Sequence, residues 1–377
     1  MLRPRSRRAT AATQRATAAT QRDTAAEPPS RAAANTTRLT PLAVVVAVVV
    51  LVGVALLGML IGPGELAGNR VLAEILAQLT GGVSPLSESE AAVVWQLRMP
   101  RVLLAALVGA ALAGAGAAFQ GVFRNPLADP YLLGAGAGAG MAATAVMVFV
   151  PAVTAWSFGP VGPLPLAAFA GALLGVGLSW GLGRSTGGAG TAGLLLAGVA
   201  VTAFLTAVQT FVQQLNTETL KQVYTWTLGG LNITGWTDVW LVLPYVGLAA
   251  LVLVAAARLL DLLTLGDAEA SSLGVRPGRI RLVVLAAASL ATAAAVSVSG
   301  LIGFVGIVVP HLVRLLAGAS YRVIVPLSLL GGAAFVIAAD LVARTIMPGE
   351  LPLGVVTAFA GAPFFALVLR TNRERLS

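Results

Sequence analysis

The sequence contains no cysteine, so disulfide bonds, thiol catalysis and cysteine-ligated metal sites are excluded. It has one histidine, His311, which rules out an all-histidine metal site within one chain. Its one lysine, Lys221, follows Leu220 rather than a glycine-rich turn, so there is no P-loop for ATP. An HExxH motif is also absent, and the few carboxylates lie mostly in loops. The sequence therefore does not predict an enzyme.

Charge is also scarce. Only 10% of the residues are charged and 57% are hydrophobic, whereas a soluble domain carries about 25% charged residues. Most of this surface must therefore face lipid or other protein. The formal net charge is +9, but the arginines cluster at the ends of apolar runs. That pattern indicates orientation in a membrane rather than nucleic-acid binding.

The first 38 residues form a segment of their own. Met1–Arg38 holds eight arginines among Ala, Thr, Gln and Pro, and has too few apolar residues to pack. We expect residues 1–38 to be a disordered basic cytoplasmic tail and residues 39–377 to be a transmembrane domain. Leu39–Ile61 runs 23 residues without a charge, which is long for a cleaved signal and suits a retained first span.

Long uncharged runs predict the number of spans, because roughly 20 apolar residues cross the hydrocarbon core. The third run is broken by four prolines and should hold two spans, and the sixth is interrupted at Ser297–Gly303 and could be one long span or two short ones. The count is therefore nine or ten. The eight runs are Leu39–Ile61, Val102–Phe123, Tyr131–Gly183, Ser185–Thr217, Val239–Ala257, Leu282–Val313, Val323–Ala339 and Leu351–Leu369.

The distribution of arginine favours ten spans. Both ends of the chain are arginine-rich, so both should be cytoplasmic, which requires an even number of crossings. The fold class is then all-α, a polytopic bundle of about ten helices, with 19 of the 24 basic residues inside. The five that remain outside are Arg70, Arg98, Arg101, Lys221 and Arg344.

Glycine is abundant inside the spans, with 43 residues in the chain. Small residues four apart let helix backbones approach closely in lipid, so they predict a dense bundle. Such pairs are Gly134–Gly138, Gly136–Gly140, Gly171–Gly175 and Gly177–Gly181.

Three polar stretches stand out between the spans. Leu265–Arg279 has acidic and small residues between two glycines, which suits either a short exposed helix or a solvated linker. Asn125 and Asp129 flank Pro126 in a tight turn and should hydrogen-bond free backbone groups there. Asp340 precedes Arg344 by four residues, a spacing that predicts an ion pair on one helix face; a proton-relay role is the alternative.

Five ordered sequence blocks resemble the FecCD family of ABC permeases, whose members import iron-siderophores, haem and vitamin B12. The resemblance runs from about Trp95 to Arg370. The blocks are WQLRMPRVLLAALVGAALAGAGAAFQGVFRNPLADPYLLG, LLLAGVAV, LGDAEASSLGV, GLIGFVGIVVPHLVRLL and ADLVARTIMPGELPLGVVTAFAGAPFF.

The resemblance implies a type II ABC importer permease in the inner membrane of a bacterium, carrying an iron-siderophore or related metal chelate; haem or vitamin B12 is the alternative cargo. The implied partners are a second, identical permease, two ATP-binding subunits, an extracytoplasmic binding protein and membrane lipid, with no nucleic acid. ATP and Mg would sit on the partner ATPase, so this chain itself needs no cofactor and no metal.

The resemblance also implies roles for individual residues. The block LGDAEASSLGV resembles a helix that docks on the ATPase, and the RMPR block resembles a site where arginines receive glutamates of the binding protein. Asn125 and Leu127 resemble one cytoplasmic gate. The Gly190–Gly193 segment resembles a second, with Thr191 aligned to a gate threonine, and Ala192 stands where the vitamin B12 permease has a hydroxyl residue. The candidates are, for ATPase coupling, Leu265, Gly266, Asp267, Glu269 and Gly274; for docking, Arg98, Arg101 and Arg344; and for the gates, Asn125, Leu127, Thr191 and Ala192.

Two other classes of function compete with this interpretation. A proton- or sodium-driven transporter would need acidic residues in the middle of spans, and the sequence has almost none. A membrane scaffold would not need the polar Leu265–Arg279 stretch. Neighbouring genes for an ATPase and a binding protein would favour the importer.

Overall fold

The computed structural model describes residues 39–62, 66–150, 162–185, 190–231, 235–347 and 349–373. The chain divides into two units, Met1–Asn35 and Thr36–Ser377, and every described residue lies in the second. The arginine-rich tail of residues 1–38 lies outside the described residues, as does Arg375 near the C-terminus.

The described residues form fourteen α-helices and no strand. They are α1 (Pro41–Leu60), α2 (Gly68–Thr80), α3 (Glu88–Ala92), α4 (Met99–Phe123), α5 (Ala135–Phe149), α6 (Pro163–Ser185), α7 (Gly190–Leu215), α8 (Leu220–Thr227), α9 (Thr237–Thr264), α10 (Asp267–Ser272), α11 (Pro277–Ser299), α12 (Val305–Ala317), α13 (Tyr321–Thr345) and α14 (Leu353–Arg373).

Ten of these helices are apolar. Seven are long and hydrophobic enough to cross a membrane, and α5, α12 and α14 are shorter apolar helices. The all-α bundle of about ten helices that the sequence predicts is therefore confirmed within the described ranges. The proline-broken third run does form two helices, α5 and α6.

The ambiguous run Leu282–Val313 is also two helices. Helix α11 stops at Gly300, whose φ of 65° lies in the left-handed region that glycine tolerates. Helix α12 starts after Phe304, which has a φ of 67°. Two residues with positive φ so close together break the helix, so no single long helix forms.

Helix α4 lies at the centre of the bundle. It packs against α9, α11, α12 and α13, while α5, α6 and α7 form a second group beside α11. The sequence of α4 is rich in Ala, Gly and Leu, so its neighbours can approach from all sides, and most of its residues are buried. Helix α1, in contrast, packs mainly on α13 and leaves most of its apolar surface exposed.

A π-helical turn over Val93–Arg98 joins α3 to α4. Pro100 has no N–H, so the carbonyl of Trp95, five residues earlier, receives no helical hydrogen bond from it. The indole Nε1 of Trp236 donates to that carbonyl at 3.0 Å instead.

Glycine contacts hold the helices together. A Cβ at Gly138 of α5 would collide with the carbonyl oxygen of Gly171 on α6, and a Cβ at Gly109 of α4 would collide with that of Gly332 on α13. The predicted close packing is confirmed for the pairs Gly134–Gly138 and Gly171–Gly175, which face each other across α5 and α6. It is wrong for Gly177–Gly181, which have no neighbour within 4 Å of an added Cβ in the described chain.

Gly138→Ala should lower the free energy of unfolding by about 1–3 kcal/mol, because the new methyl group forces the α5 and α6 backbones apart. The control is Gly177→Ala, which adds the same group in open space and should stay within about 1 kcal/mol of the wild type. Melting temperatures of the detergent-solubilised protein measure both. Equal melting temperatures for the two variants would contradict the glycine contact.

Candidate functional site

A charge cluster lies where α4 begins and α13 ends, which we call the Arg101 end of the bundle. The Arg101 guanidinium binds Asp340, with Nη2 2.9 Å from Oδ1, and Glu350, with Nη1 3.0 Å from Oε1. Asp340 is 2% exposed and also lies 3.5 Å from the Arg344 guanidinium. The predicted Asp340–Arg344 pair is therefore confirmed, and Arg101 joins it.

Glu350 belongs to this cluster but does not lie on a helix. It follows α13 in the connection to α14, and its side chain is 44% exposed. Hydrogen bonds from Arg101 hold the pKa of its carboxyl below the usual value, so it stays ionised at neutral pH.

Two arginines cap the end of α1. Arg98 Nη1 donates to the carbonyl oxygens of Met59 and Leu60 at 3.0 and 3.3 Å. Arg344 Nη2 donates to Gly58 O at 2.6 Å. The last carbonyls of a helix have no helical partner and carry partial negative charge, so two guanidinium groups stabilise them strongly.

These contacts change the interpretation of the three docking arginines. Arg98 is 4% exposed and Arg344 is 7% exposed, and both point into the bundle. Arg101 is held by two carboxylates. The structure uses them to fasten α1, α4 and α13 together. A docking role stays a prediction that would need these contacts to open.

A polar stripe runs along one face of α7. Thr202, Thr206, Gln209 and Gln213 recur at intervals of three or four residues, the spacing of one helical face. The Gln209 amide lies over Gly140 of α5, where a Cβ would come within 2.8 Å of Oε1. The amides of Gln209 and Gln213 make no hydrogen bond within the described part of the chain.

The stripe borders an open groove of about 560 Å³ between α7 and α8. Its walls carry hydroxyl, amide, phenol and amine groups but no carboxylate. They are Thr206, Gln209, Thr210, Gln213, Leu220, Lys221, Tyr224 and Thr227. Sequence reasoning missed this site, although the Thr/Gln spacing within an apolar helix was a readable signal.

At the other end of the bundle, which we call the Asp267 end, the turn after α4 is built as predicted. Asn125 Oδ1 accepts from the Leu127 N–H at 2.9 Å, and Asp129 Oδ1 accepts from the Tyr131 N–H at 2.8 Å. Burial raises the pKa of Asp129 to about 6. Asn125 is exposed and Leu127 is half-buried, so both are accessible for contact with another subunit.

The predicted short helix at this end is also present. Helix α10 spans Asp267–Ser272 and is bounded by Gly266 and Gly274, whose φ values of 123° and 80° require glycine. It buries one side chain, Ala270, and leaves Leu265 and Glu269 exposed. Of the two interpretations of this stretch, the short helix is therefore confirmed and the solvated linker is not. Its role in coupling to an ATPase stays a prediction.

The second gate segment forms the first turn of α7. Thr191 lines a groove of about 360 Å³ together with Trp180, Arg184 and Arg281, while Ala192 is exposed. Asp267 of α10 pairs with both Arg281 and Arg124. The structure thus gathers the coupling helix and both gate segments at one end, around two arginines that the sequence did not single out.

The described residues contain no group of three His, Asp or Glu side chains that could hold a metal ion. The groups that line the α7 groove are neutral donors and acceptors apart from Lys221. Such a surface can contact a large polar solute in many orientations, and it supplies no general acid–base pair.

Comparison with known proteins decides the family. The model of the FecCD transport family matches residues 35–371. The chain belongs to the FecCD transport family. The match takes in α1 through most of α14, so it includes the Arg101 end, the α7 groove and the Asp267 end.

FecCD relatives from several organisms are similar over most of their length. The chain is 43% identical to the cobalamin import system permease protein BtuC of Halobacterium salinarum over 76% of each chain. It is 39% identical to the hemin transport system permease protein HmuU of Yersinia pestis over 75% of this chain and 85% of that one. It is 37% identical to the Fe(3+) dicitrate transport system permease protein FecC of Escherichia coli over 78% of this chain and 87% of that one.

A solved structure agrees with the fold of the FecCD chain. An inward-facing metal-chelate type ABC transporter superposes with a TM-score of 0.75 at 27% identity, covering 88% of this chain and 100% of that chain. The chain is accordingly a polytopic permease of the type II ABC importer fold.

Asp340→Asn should lower the free energy of unfolding by about 3–5 kcal/mol, because Arg101 and Arg344 are left without their buried counter-charge. Thermal unfolding in detergent measures the loss.

The control for this variant is Glu350→Gln, which removes the other carboxylate from the same arginine. Glu350 is the more exposed partner, so its loss should cost about 0–1 kcal/mol. A larger effect for Glu350→Gln than for Asp340→Asn would refute the buried cluster as the fastening point.

Proposed function

We propose that this permease imports a metal chelate, an iron-siderophore or a related complex, and that the chelate moves past the polar stripe of α7. ATP hydrolysis by a separate subunit drives the movement, and the chelate is not changed covalently.

The amides of Gln209 and Gln213 carry this proposal. They lie on a helix long enough to span the membrane and have no hydrogen-bond partner in the described chain. An unsatisfied amide in hydrocarbon costs several kcal/mol, so these groups must face water, a solute or a second subunit. A path for a solute between two subunits supplies all three.

The chemistry of the groove suits passage rather than capture. Its hydroxyl and amide groups can exchange hydrogen bonds with a chelate as it moves, and Lys221 adds one positive charge. No carboxylate competes with the chelator for the metal ion. Weak, replaceable contacts allow release, which a tight site would prevent.

The proposal includes the partners of the chain. Two copies enclose the path, two ATP-binding subunits carry ATP and Mg and dock on α10, and an extracytoplasmic binding protein delivers the chelate. The Asp267 end and both termini then face the cytoplasm, in the inner membrane of a bacterium. The arginine-rich sequence at each end of the chain supports this orientation.

Cobalamin and haem are second candidates for the cargo. Relatives named for cobalamin import and hemin transport are 43% and 39% identical to this chain, as similar as the iron-chelate relatives. The groove itself does not separate these cargoes, because its neutral polar groups fit any of them.

Reconstitution in proteoliposomes tests the function. The chain, its ATPase and its binding protein are assembled, and uptake of a ferric hydroxamate, haemin and cyanocobalamin is measured in turn. We expect ATP-dependent uptake of one of these probes. Uptake that does not depend on ATP but does depend on an imposed proton or sodium gradient would instead identify a secondary transporter.

Gln213→Leu should lower the rate of ATP-driven uptake about fivefold, the factor for one lost hydrogen bond of roughly 1 kcal/mol. The matched control is Gln214→Leu, the same change one residue later. Gln214 is exposed but does not line the groove. If the two variants transport equally, the polar stripe is not the path.

A further inference from the structure

Helix α10 is attached to the bundle through one carboxylate. Asp267 accepts hydrogen bonds from both terminal nitrogens of Arg281 at 2.8 and 2.6 Å, and it also pairs with Arg124. Helix α10 buries only Ala270 among its described residues. A short surface helix with so little apolar contact depends on such charge-assisted bonds for its position.

Arg124 connects that carboxylate directly to the first gate segment. It is the last residue before Asn125 and occupies the left-handed position that ends α4, with a φ of 50°. Glycine or asparagine is usual there, because other side chains are strained. The Arg124 side chain uses this position to bond the Leu263 carbonyl at the end of α9 through Nε at 2.6 Å, and to reach Asp267.

Arg281 places the same carboxylate beside the second gate segment, across a shared groove. It lies in the second turn of α11, and its side chain lines the groove that also contains Thr191. Its side chain is 17% exposed, so it is more deeply held than Arg124 at 37%. Both arginines keep the pKa of the Asp267 carboxyl below its usual value, with Arg281 the stronger influence.

We propose that Asp267 is the joint that transmits movement of α10 to both gate segments, through Arg124 to residues 125–129 and through Arg281 to the first turn of α7. The proposal rests on the proposed function, in which α10 docks on the ATPase. Asp267 and Arg124 are positioning residues: they touch neither the cargo nor ATP. Movement of α10 displaces the carboxylate, and the two guanidinium groups carry the displacement to α4 and α11.

The test compares transport with ATP hydrolysis in the full transporter. Asp267→Asn and Arg124→Gln are assembled with the ATPase and the binding protein, and the number of probe molecules imported per ATP is measured with the ferric hydroxamate, haemin and cyanocobalamin. We expect both variants to copurify with the ATPase and hydrolyse ATP. Import per ATP should fall about fivefold or more.

Two further variants separate transmission from simple damage. Arg124→Lys keeps the charge beside Asp267 and should retain most of the import per ATP. Arg279→Gln removes an arginine from the same helix as Arg281, but Arg279 is exposed and has no ion pair in the described structure, so it should behave as the wild type. If Asp267→Asn fails to fold, the Arg124→Gln and Arg124→Lys pair carries the test.

A second measurement needs no cargo. Because the chain lacks cysteine, a single Leu127→Cys can carry a fluorescent label at the first gate segment. We expect ATP to shift its emission in the wild-type background and not in the Asp267→Asn background.

The outcomes are distinguishable. Normal import per ATP and a normal shift in both Asp267→Asn and Arg124→Gln would overturn the joint while leaving the importer intact. Loss of ATPase copurification would also overturn it, because Asp267 would then act in docking. Absence of ATP-driven import in the wild type would refute the proposed function, and the fluorescence shift would still report on the joint.

Discussion

The absence of water in the hydrocarbon core is the constraint on which this structure depends. Every backbone polar group within the bundle must find a partner in protein or in a water-filled path, and an unpaired side-chain amide there is costly. The last carbonyls of α1 find theirs in Arg98 and Arg344. The same constraint makes the α7 amides informative, because Gln209 and Gln213 have no such partner in the described chain. The same absence of water affects helix packing. Apolar helices have no hydrophobic driving force to associate in lipid, so glycines stabilise the bundle by letting helix backbones come into close contact.

Each end of the bundle has a cluster of ion pairs centred on one carboxylate. At the Arg101 end, buried Asp340 binds Arg101 and Arg344 and fixes α4 to α13. At the Asp267 end, the exposed carboxylate of Asp267 binds Arg124 and Arg281. A buried cluster resists rearrangement, whereas an exposed one exchanges partners at little cost. This difference in burial suits a rigid Arg101 end and a movable Asp267 end of the same bundle.

Much of this arrangement could be predicted from the sequence, because hydropathy, proline and arginine position are local signals. They predicted ten apolar helices, the Asn125 turn and the Asp340–Arg344 pair, whereas the short helix between Gly266 and Gly274 was favoured over a linker only by the family resemblance. Contacts between distant segments could not be predicted in this way. The sequence places Arg101 and Asp340 far apart, so their ion pair was not predicted, and Arg124 was overlooked as part of a turn. Gly177–Gly181 has the same spacing as Gly171–Gly175, and only the fold decides which pair meets a neighbour.

The central claim is that the polar stripe of α7 borders a water-filled path in the assembled transporter. Labelling with a membrane-impermeant, charged thiol reagent tests it directly, since the chain has no cysteine of its own. Gln209→Cys and Phe211→Cys lie on opposite faces of α7, and Phe211 is exposed on the apolar face. The account predicts rapid labelling at position 209 and little at position 211. Labelling at 211 with protection at 209 would contradict it.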